Sequence, residues 1–115
     1  MLSIYIFLLA PSSAPRSCII KFLNATQIHL TWSAPAREHH NGILTKYQLE
    51  FLPESWSSSS KRIILLPAKT KFHKEKNLQP YMRYVIHLRA KTIAGVGPSA
   101  ILNARTFMAG KNIFV

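Results

Sequence analysis

The sequence predicts an all-β protein, an antiparallel sandwich of about seven strands in two sheets. Outside the two ends of the chain, apolar residues recur with a period of two, which is the repeat of a strand and not of a helix. Turn residues recur at intervals of about a dozen positions, as they do between short antiparallel strands. Strands with one apolar face each are buried together when two sheets stack face to face.

The first half of the chain contains the clearest alternation. Residues 27–32 place Ile28, Leu30 and Trp32 on one face, and Pro35 ends this strand. A polar loop follows, in which Asn41-Gly42 is a strong turn dipeptide because both residues tolerate positive φ. The next strand, 44–52, has a common apolar face formed by Tyr47, Leu49 and Phe51.

The second half repeats the pattern after a serine-rich loop at 53–60. Residues 62–66 form a short apolar strand closed by Pro67. Residues 83–91 alternate strictly, with Tyr84, Ile86, Leu88 and Ala90 on one face. Two glycines and a proline within 93–98 predict a turn, followed by a last strand from about Ser99 to Phe107.

The order of these residues resembles a known family. The matching positions are Pro15, Trp32 with Pro35, Asn41-Gly42, the Tyr47-x-Leu49-x-Phe51 strand, Leu78-x-Pro80 with Tyr84 four residues later, Ala90, Gly95-x-Gly97 and Thr106. In this order and spacing the chain resembles a fibronectin type III domain over residues 15–107. The resemblance implies an immunoglobulin-like β-sandwich, flanked here by an apolar head at 1–14 and a short tail at 108–115.

The predicted core contains Trp32, Tyr47, Leu49, Phe51, Leu78, Tyr84, Ile86, Leu88 and Ala90. Trp32 is the largest side chain available to fill the space between two sheets about 10 Å apart. Tyr84 occupies the position of a corner tyrosine, and we expect its hydroxyl to bond a backbone group within residues 78–80.

Three positions depart from the family pattern. His73 and Glu75 stand five and three residues before Leu78, where apolar residues are usual. Either a one-residue bulge turns Phe72 inward, or the fifth strand is short and this side of the core is weak. Met82 replaces the usual threonine near the corner tyrosine and offers no hydroxyl.

The ends of the chain have their own composition. Residues 1–10 form an apolar run that is too short to span a bilayer, which needs about 20 residues. Its length suits a secretory signal, although no basic segment precedes it. The alternatives are a strand continued from upstream sequence and a truncated product that retains one repeat of a longer protein.

Composition argues against an enzyme. Only four acidic residues, all Glu, occur among 115 residues. Few carboxylates are therefore available for paired-carboxylate catalysis or for binding a cation through oxygen ligands. The single cysteine, Cys18, and the scattered histidines have no zinc-ligand spacing, and Gly95-Val96-Gly97-Pro98 is not followed by the lysine of a phosphate loop. We therefore expect no catalytic residue, no cofactor and no metal.

Charge favours anionic partners. Fifteen Lys and Arg give a formal net charge of +11. One cluster, within sixteen positions, is a candidate patch for sulfated glycans such as heparan sulfate: Lys61, Arg62, Lys69, Lys71, Lys74 and Lys76. A second basic surface is predicted on one strand face: Arg83, His87, Arg89 and Lys91. We do not expect nucleic acid to bind, since no recognition helix or aromatic ladder accompanies the lysines.

Asn24-Ala25-Thr26 is an Asn-x-Thr sequon in the predicted first turn, and Asn24 is a candidate glycosylation site in a secreted protein.

The family resemblance implies a non-catalytic protein-binding or spacer module of a cell-surface adhesion or receptor protein. The loops 33–43 and 92–99 are expected to form its partner surface. The alternatives are a secreted glycan-binding module and an intracellular, cytoplasmic repeat of the muscle-protein type. Contact with a membrane is expected only through a parent protein or the apolar head.

Overall fold

The computed structural model describes residues 9–54 and 61–110, which form seven strands in two antiparallel sheets. The strands are β1 (Arg16–Leu23), β2 (Ile28–Ser33), β3 (Lys46–Pro53), β4 (Arg62–Pro67), β5 (Phe72–Glu75), β6 (Arg83–Thr92) and β7 (Gly95–Arg105). A single turn of 3-10 helix spans Arg37–His39. The three-stranded sheet has the order β1-β2-β5, and the four-stranded sheet has the order β4-β3-β6-β7.

The core fills the space between the two sheets. Trp32 and Tyr84 are 4% and 3% exposed. The Trp32 and Tyr47 rings meet edge to face with centroids 5.6 Å apart, a favoured aromatic geometry. All nine residues that the sequence assigns to the core lie in it, together with Ile28, Leu30 and Ala104.

Two hydroxyl groups fix the corner that leads into β6. The backbone N–H of Gln79 donates to the Tyr84 hydroxyl at 2.9 Å, within the segment where the sequence places this bond. Thr106 is 1% exposed, and its hydroxyl accepts from the Met82 N–H at 2.9 Å and donates to the Gln79 carbonyl at 2.7 Å. Thr106, just beyond β7, thus supplies a hydroxyl at the corner where Met82 has none.

Strand β5 is short and has no bulge that turns Phe72 inward. Of the two alternatives for this region, the short fifth strand is the one observed. Its four residues pair with β2 without a register shift. His73 and Glu75 lie opposite the inward-facing Leu30 and Ile28, so they face the interior, whereas Phe72 faces out and is 46% exposed. Strand β5 therefore turns two polar residues, His73 and Glu75, toward the interior, and places Phe72 outside together with Lys74.

The prediction of a loop over residues 92–99 is wrong for most of this segment, because β7 begins at Gly95. The chain reverses at Ile93 and Ala94, and Gly95 already pairs with Thr92 as the first residue of β7. The Thr92 hydroxyl accepts from the Ala94 N–H at 3.2 Å, and Gly95 adopts a φ of 145° that favours glycine. Pro98 is accommodated because β7 is an edge strand and because this residue lies at the irregularity in its pairing with β6, between Val96 and Ser99.

The ends of the chain are described only in part. Residues 1–8 of the apolar head, the serine loop at 55–60 and the tail from 111 to 115 lie outside the described residues. The helical turn at Arg37–His39, the one helix among residues 9–54 and 61–110, is too short to span a bilayer.

We expect Tyr84→Phe to lower the free energy of unfolding by about 1–2 kcal/mol, because the part-buried Gln79 N–H loses its acceptor. Urea unfolding followed by circular dichroism measures the change. Tyr81→Phe is the matched control, since Tyr81 is 59% exposed, and its change should stay within about 0.5 kcal/mol. Equal effects of the two substitutions would contradict the role given to the Tyr84 hydroxyl.

Candidate functional site

The basic cluster of the sequence is divided by the fold. Lys61 pairs with Glu50 at 3.4 Å, and Arg62 pairs with Glu75 at 2.9 Å. Arg62 also donates to the backbone carbonyls of Lys76 and Asn77. Two of the six predicted patch residues are therefore engaged in internal contacts. The other four have exposed side chains: Lys69, Lys71, Lys74 and Lys76.

Glu75 lies at the centre of a polar cluster that links the two sheets. One of its oxygens contacts Arg62 of β4, and the other contacts His73 Nε2 at 2.8 Å. The Glu75 side chain is only 12% exposed. Burial raises the pKa of Glu75, but the hydrogen bonds and positive charges of His73 and Arg62 outweigh it, and the net pKa is lowered.

The outer face of the three-stranded sheet is the feature that the sequence patterns did not show. Six side chains form two rows across it, as the strand registers require: Ile19, Thr31 and Phe72 in one row, and Phe22, His29 and Lys74 in the other. We call these six residues the outer aromatic face. Three of them are large, exposed apolar side chains, since Ile19, Phe22 and Phe72 are 46–51% exposed.

The rings on this face touch one another. The His29 ring lies 4.7 Å from Phe22 and 6.3 Å from Phe72, between centroids. The Lys74 ammonium lies 5.6 Å from the Phe72 ring centre, within the range of a cation–π contact. The pKa of His29 is lowered by desolvation and by the charges of Lys74 and Lys76, so at neutral pH its ring is predominantly uncharged.

A β-bulge in β1 turns Phe22 outward. The pairing of β1 with β2 shifts register between Ile20 and Phe22, so Lys21 is the extra residue. Without the bulge, strict alternation would turn Phe22 to the inside, because Ile20 already faces the core. A shallow cavity of about 260 Å³ adjoins this point and is lined by Ile20, Lys21, Phe22, Leu23 and Phe107.

Cations border the outer aromatic face. Lys21 and Lys76 are exposed beside it, and Lys74 belongs to it. The strands β1, β2 and β5 contain one carboxylate, that of Glu75, which faces the interior. The face is therefore apolar at its centre and positive at its border.

The second predicted basic surface lies on the opposite side of the sandwich. It occupies the outer face of the four-stranded sheet, where His87 is in register with Glu50. Arg83 and Arg105 both lie near Glu54, at 4.0 and 3.7 Å. This surface includes carboxylates, and its positive charge is partly balanced.

The two predicted partner loops enclose a segment of the chain itself. Thr92 Oγ1 donates to the Leu9 carbonyl at 2.7 Å, and Asn41 Nδ2 donates to the Ala10 carbonyl at 3.0 Å. Pro11 is buried against Gly97, where a Cβ would lie 2.7 Å from the Pro11 oxygen. Residues 9–12 therefore occupy the space between loop 33–43 and the start of β7.

Asn24 lies in the turn between β1 and β2. Its Oδ1 accepts from the backbone N–H groups of Thr26 and Gln27 at 2.9 and 2.8 Å, so the sequon adopts an Asx turn. The backbone carbonyl of Asn24 also accepts from the Phe107 N–H. The turn thus has a defined shape, and Asn24 itself is half-buried.

Cys18 and the histidines form no common centre. Within residues 9–54 and 61–110, no three His, Cys, Asp or Glu side chains are placed to hold a metal ion. Burial raises the pKa of the Cys18 thiol, which keeps it in the less reactive, protonated form.

Comparisons with known proteins agree with this geometry. The family model described as "Fibronectin type III domain" matches residues 13–105. The chain belongs to the fibronectin type III family. Among solved structures, the fn3 domain of human contactin 1 superposes with a TM-score of 0.74 at 24% identity, covering 90% of this chain and 84% of that one.

Curated relatives are much longer proteins. The chain is 34% identical over 100 residues to protein sidekick-2 of Gallus gallus, covering 86% of this chain and 5% of the relative. It is 34% identical over 89 residues to tyrosine-protein phosphatase Lar of Drosophila melanogaster, covering 76% and 4%. It is 29% identical over 101 residues to cell adhesion molecule DSCAML1 of Homo sapiens, covering 84% and 5%. The chain is thus homologous to fibronectin type III domains of cell-surface adhesion and receptor proteins.

Loss of the Glu75 charge should destabilise this fibronectin type III domain. We expect Glu75→Gln to lower the free energy of unfolding at pH 7 by about 1–2 kcal/mol, because Arg62 and His73 lose a charged partner. Since folding lowers the Glu75 pKa, its contribution is present above the ordinary value of 4.5 and is lost as pH falls below it. Unfolding measured from pH 3 to 7 should therefore show a flatter acid slope in the variant.

Glu54→Gln is the control for this measurement, because the Glu54 side chain is 57% exposed. Its stability should change by less than about 0.5 kcal/mol at every pH. Parallel pH profiles of the wild type and Glu75→Gln would contradict the assigned pKa.

Proposed function

We propose that this chain is a non-catalytic protein-binding module of a cell-surface adhesion or receptor protein, and that the outer aromatic face is its docking surface. The observation that supports this most is the outward placement of two phenylalanines. The bulge in β1 turns Phe22 outward, and the register of β5 with β2 turns Phe72 outward. A sheet face in water normally presents polar residues. Exposed apolar patches bordered by polar residues are typical of protein interaction sites.

The chemistry of this face defines the partner. A protein interface has an apolar centre and a polar rim, and the rim here is positive. The complementary partner is a protein surface with an apolar centre and a rim of Asp and Glu. The charge on Lys21, Lys74 and Lys76 would speed encounter with it, and the rings would supply most of the affinity.

The loop end has a different proposed role. Because residues 9–12 fill the space between loop 33–43 and the β6–β7 turn, this end holds the incoming chain in a fixed direction. That is the property a spacer needs. The loops 33–43 and 92–99 are thus proposed to orient the domain, and the sheet face is proposed to bind.

The absence of catalysis is also part of the proposal. Of the four glutamates, Glu50, Glu54 and Glu75 each contact a cation, and Glu38 lies in the short 3-10 helix. None is paired with a second carboxylate or a nucleophile in the described part of the chain. Relatives that carry this domain include a phosphatase by name, and we assign no such chemistry to this chain.

A sulfated glycan is the second candidate ligand. Lys69, Lys71, Lys74 and Lys76 are exposed and make no salt bridge in residues 9–54 and 61–110. Chains of sulfate groups bind such lysines by counterion release. This candidate needs the lysines but does not need Phe22 and Phe72.

Binding to cells separates the two ligands. A dimeric fusion of the chain to an antibody constant region should bind adherent cells in flow cytometry, and Phe22→Ser/Phe72→Ser should reduce binding about tenfold. Brief protease treatment of the cells should abolish binding, whereas heparin lyase should leave it unchanged. The control is Ile101→Ser, which removes a residue 56% exposed on the opposite face.

Loss of binding after lyase treatment, with the phenylalanine variant still active, would replace the protein partner with the glycan. Equal losses in the phenylalanine variant and the Ile101 control would remove the outer aromatic face from the proposal.

An extracellular or cell-surface location is proposed with this function, and Asn24 is proposed to carry a glycan there. Secreted from mammalian cells, the protein should shift in mobility after glycosidase treatment, and Asn24→Gln should abolish the shift. Expression of the chain with its own N-terminus tests the location. A protein that stays in the cytosol without a shift would favour the cytoplasmic alternative, and a secreted protein without a shift would overturn Asn24 as the site.

A further inference from the structure

Strand β4 is an outer strand of the four-stranded sheet. Among residues 9–54 and 61–110 it pairs only with β3, and its other side has no partner strand there. The Glu54 N–H donates to Arg83, so Glu54 and alternate residues before it direct their backbone groups to β6. The intervening residues of β3 direct their backbone groups to β4 instead. Their partners there are Leu66, Ile64 and Arg62. Ile63 and Leu65 therefore direct their N–H and C=O groups to the open side.

Pro67 agrees with this assignment. It is in register with Lys46, a residue that faces β6, so its missing N–H falls on the open side of β4. A proline there leaves the ladder with β3 intact.

Pro67 protects only the end of β4, and the centre of this strand lacks the protection that the other edge strands have. Strand β5 has only four residues and presents Lys74, β1 is bulged at Lys21, and β7 contains Pro98. These are the devices by which natural sheets prevent edge-to-edge pairing. The centre of β4, 63–66, has no charge, and Ile63 and Leu65 are 57% and 51% exposed.

The two cations at the start of β4 also do not prevent another strand from pairing with its open side. Lys61 pairs with Glu50, and Arg62 turns inward to Glu75. A lysine protects an edge when its charge would lie unbalanced against an incoming strand. Both charges here are balanced within the same molecule.

We propose that β4 pairs antiparallel with β4 of a second copy of this chain, joining two four-stranded sheets into one of eight strands. In the register centred on Ile64, Ile63 of each copy lies opposite Leu65 of the other. Ile63 and Leu65 then exchange their open backbone groups in about four hydrogen bonds. Their side chains become cross-strand neighbours on one face.

The self-complementarity of this register favours a second copy as the occupant. A two-fold axis through Ile64 satisfies the open groups of both strands at once, with an apolar residue opposite an apolar residue. The net charge of +11 on each copy opposes association. The dimer should therefore be weak at low salt and should tighten as salt screens the repulsion, whereas binding of an anionic ligand would weaken.

Sedimentation equilibrium of the full chain at low and high NaCl tests the proposal. We expect a monomer–dimer equilibrium whose dissociation constant falls severalfold with salt. Leu65→Pro should abolish the dimer and keep the fold, because the N–H that it removes faces the open side. Ile63→Lys should raise the dissociation constant at least about tenfold. The circular dichroism spectrum and the unfolding midpoint report whether each variant is folded.

Ile101→Lys is the matched control, since Ile101 is 56% exposed on the same sheet face, in the same cross-strand row as Ile63, but on β7. Its dissociation constant should stay within about twofold of the wild type after the added charge is screened. A protein that remains monomeric at all concentrations and salts overturns the proposal. So does a dimer that Ile63→Lys leaves intact, or one that Ile101→Lys weakens equally. Ile63→Lys keeps its backbone N–H, so it decides the question even if Leu65→Pro fails to fold.

Discussion

The part-buried carboxylate of Glu75 is the constraint on which much of this molecule depends. An ionised carboxylate between two sheets is costly unless it is paired and hydrogen-bonded, and Glu75 has both Arg62 and His73 as partners. Arg62 must therefore reach from β4 across to β5, which fixes the distance and orientation of the two sheets along this edge. Ion pairs of this kind often add little net stability, so we assign the cluster chiefly to orientation.

Two surfaces follow from this cluster. With His73 and Glu75 turned inward, Phe72 must face out, where it joins His29 and the bulge-directed Phe22 to form the outer aromatic face. Because Lys61 and Arg62 are both paired with glutamates, no unpaired cation protects the edge of β4 among the residues that the structure describes. A polar contact in the interior thus determines what the exterior of the three-stranded sheet and of β4 can bind.

Much of the fold was predictable because it depends on local pattern. A period of two places Trp32 and Tyr84 in the core, and the spacing from Leu78 to Tyr84 predicts the corner hydrogen bond. The pairing of Arg62 with Glu75 was not predictable, because it depends on how two edge strands of different sheets align. The bulge at Lys21 was missed because alternation alone does not say where a strand gains a residue. The sequence pattern also does not predict the contacts of residues 9–12 with Asn41 and Thr92, because these residues lie far apart along the chain. The sequence does show His73 and Glu75 as departures from the apolar pattern, and such departures indicate that Phe72 faces outward.

The most direct test of this account is a double-mutant cycle on Arg62 and Glu75. Free energies of unfolding are measured for Arg62→Met, Glu75→Leu, the double variant and the wild type at pH 7. The account predicts a coupling energy of about 1–2 kcal/mol, with the double variant more stable than the sum of the single losses implies. A coupling energy within about 0.3 kcal/mol of zero would show that the two side chains act independently and would contradict the central role given to their contact.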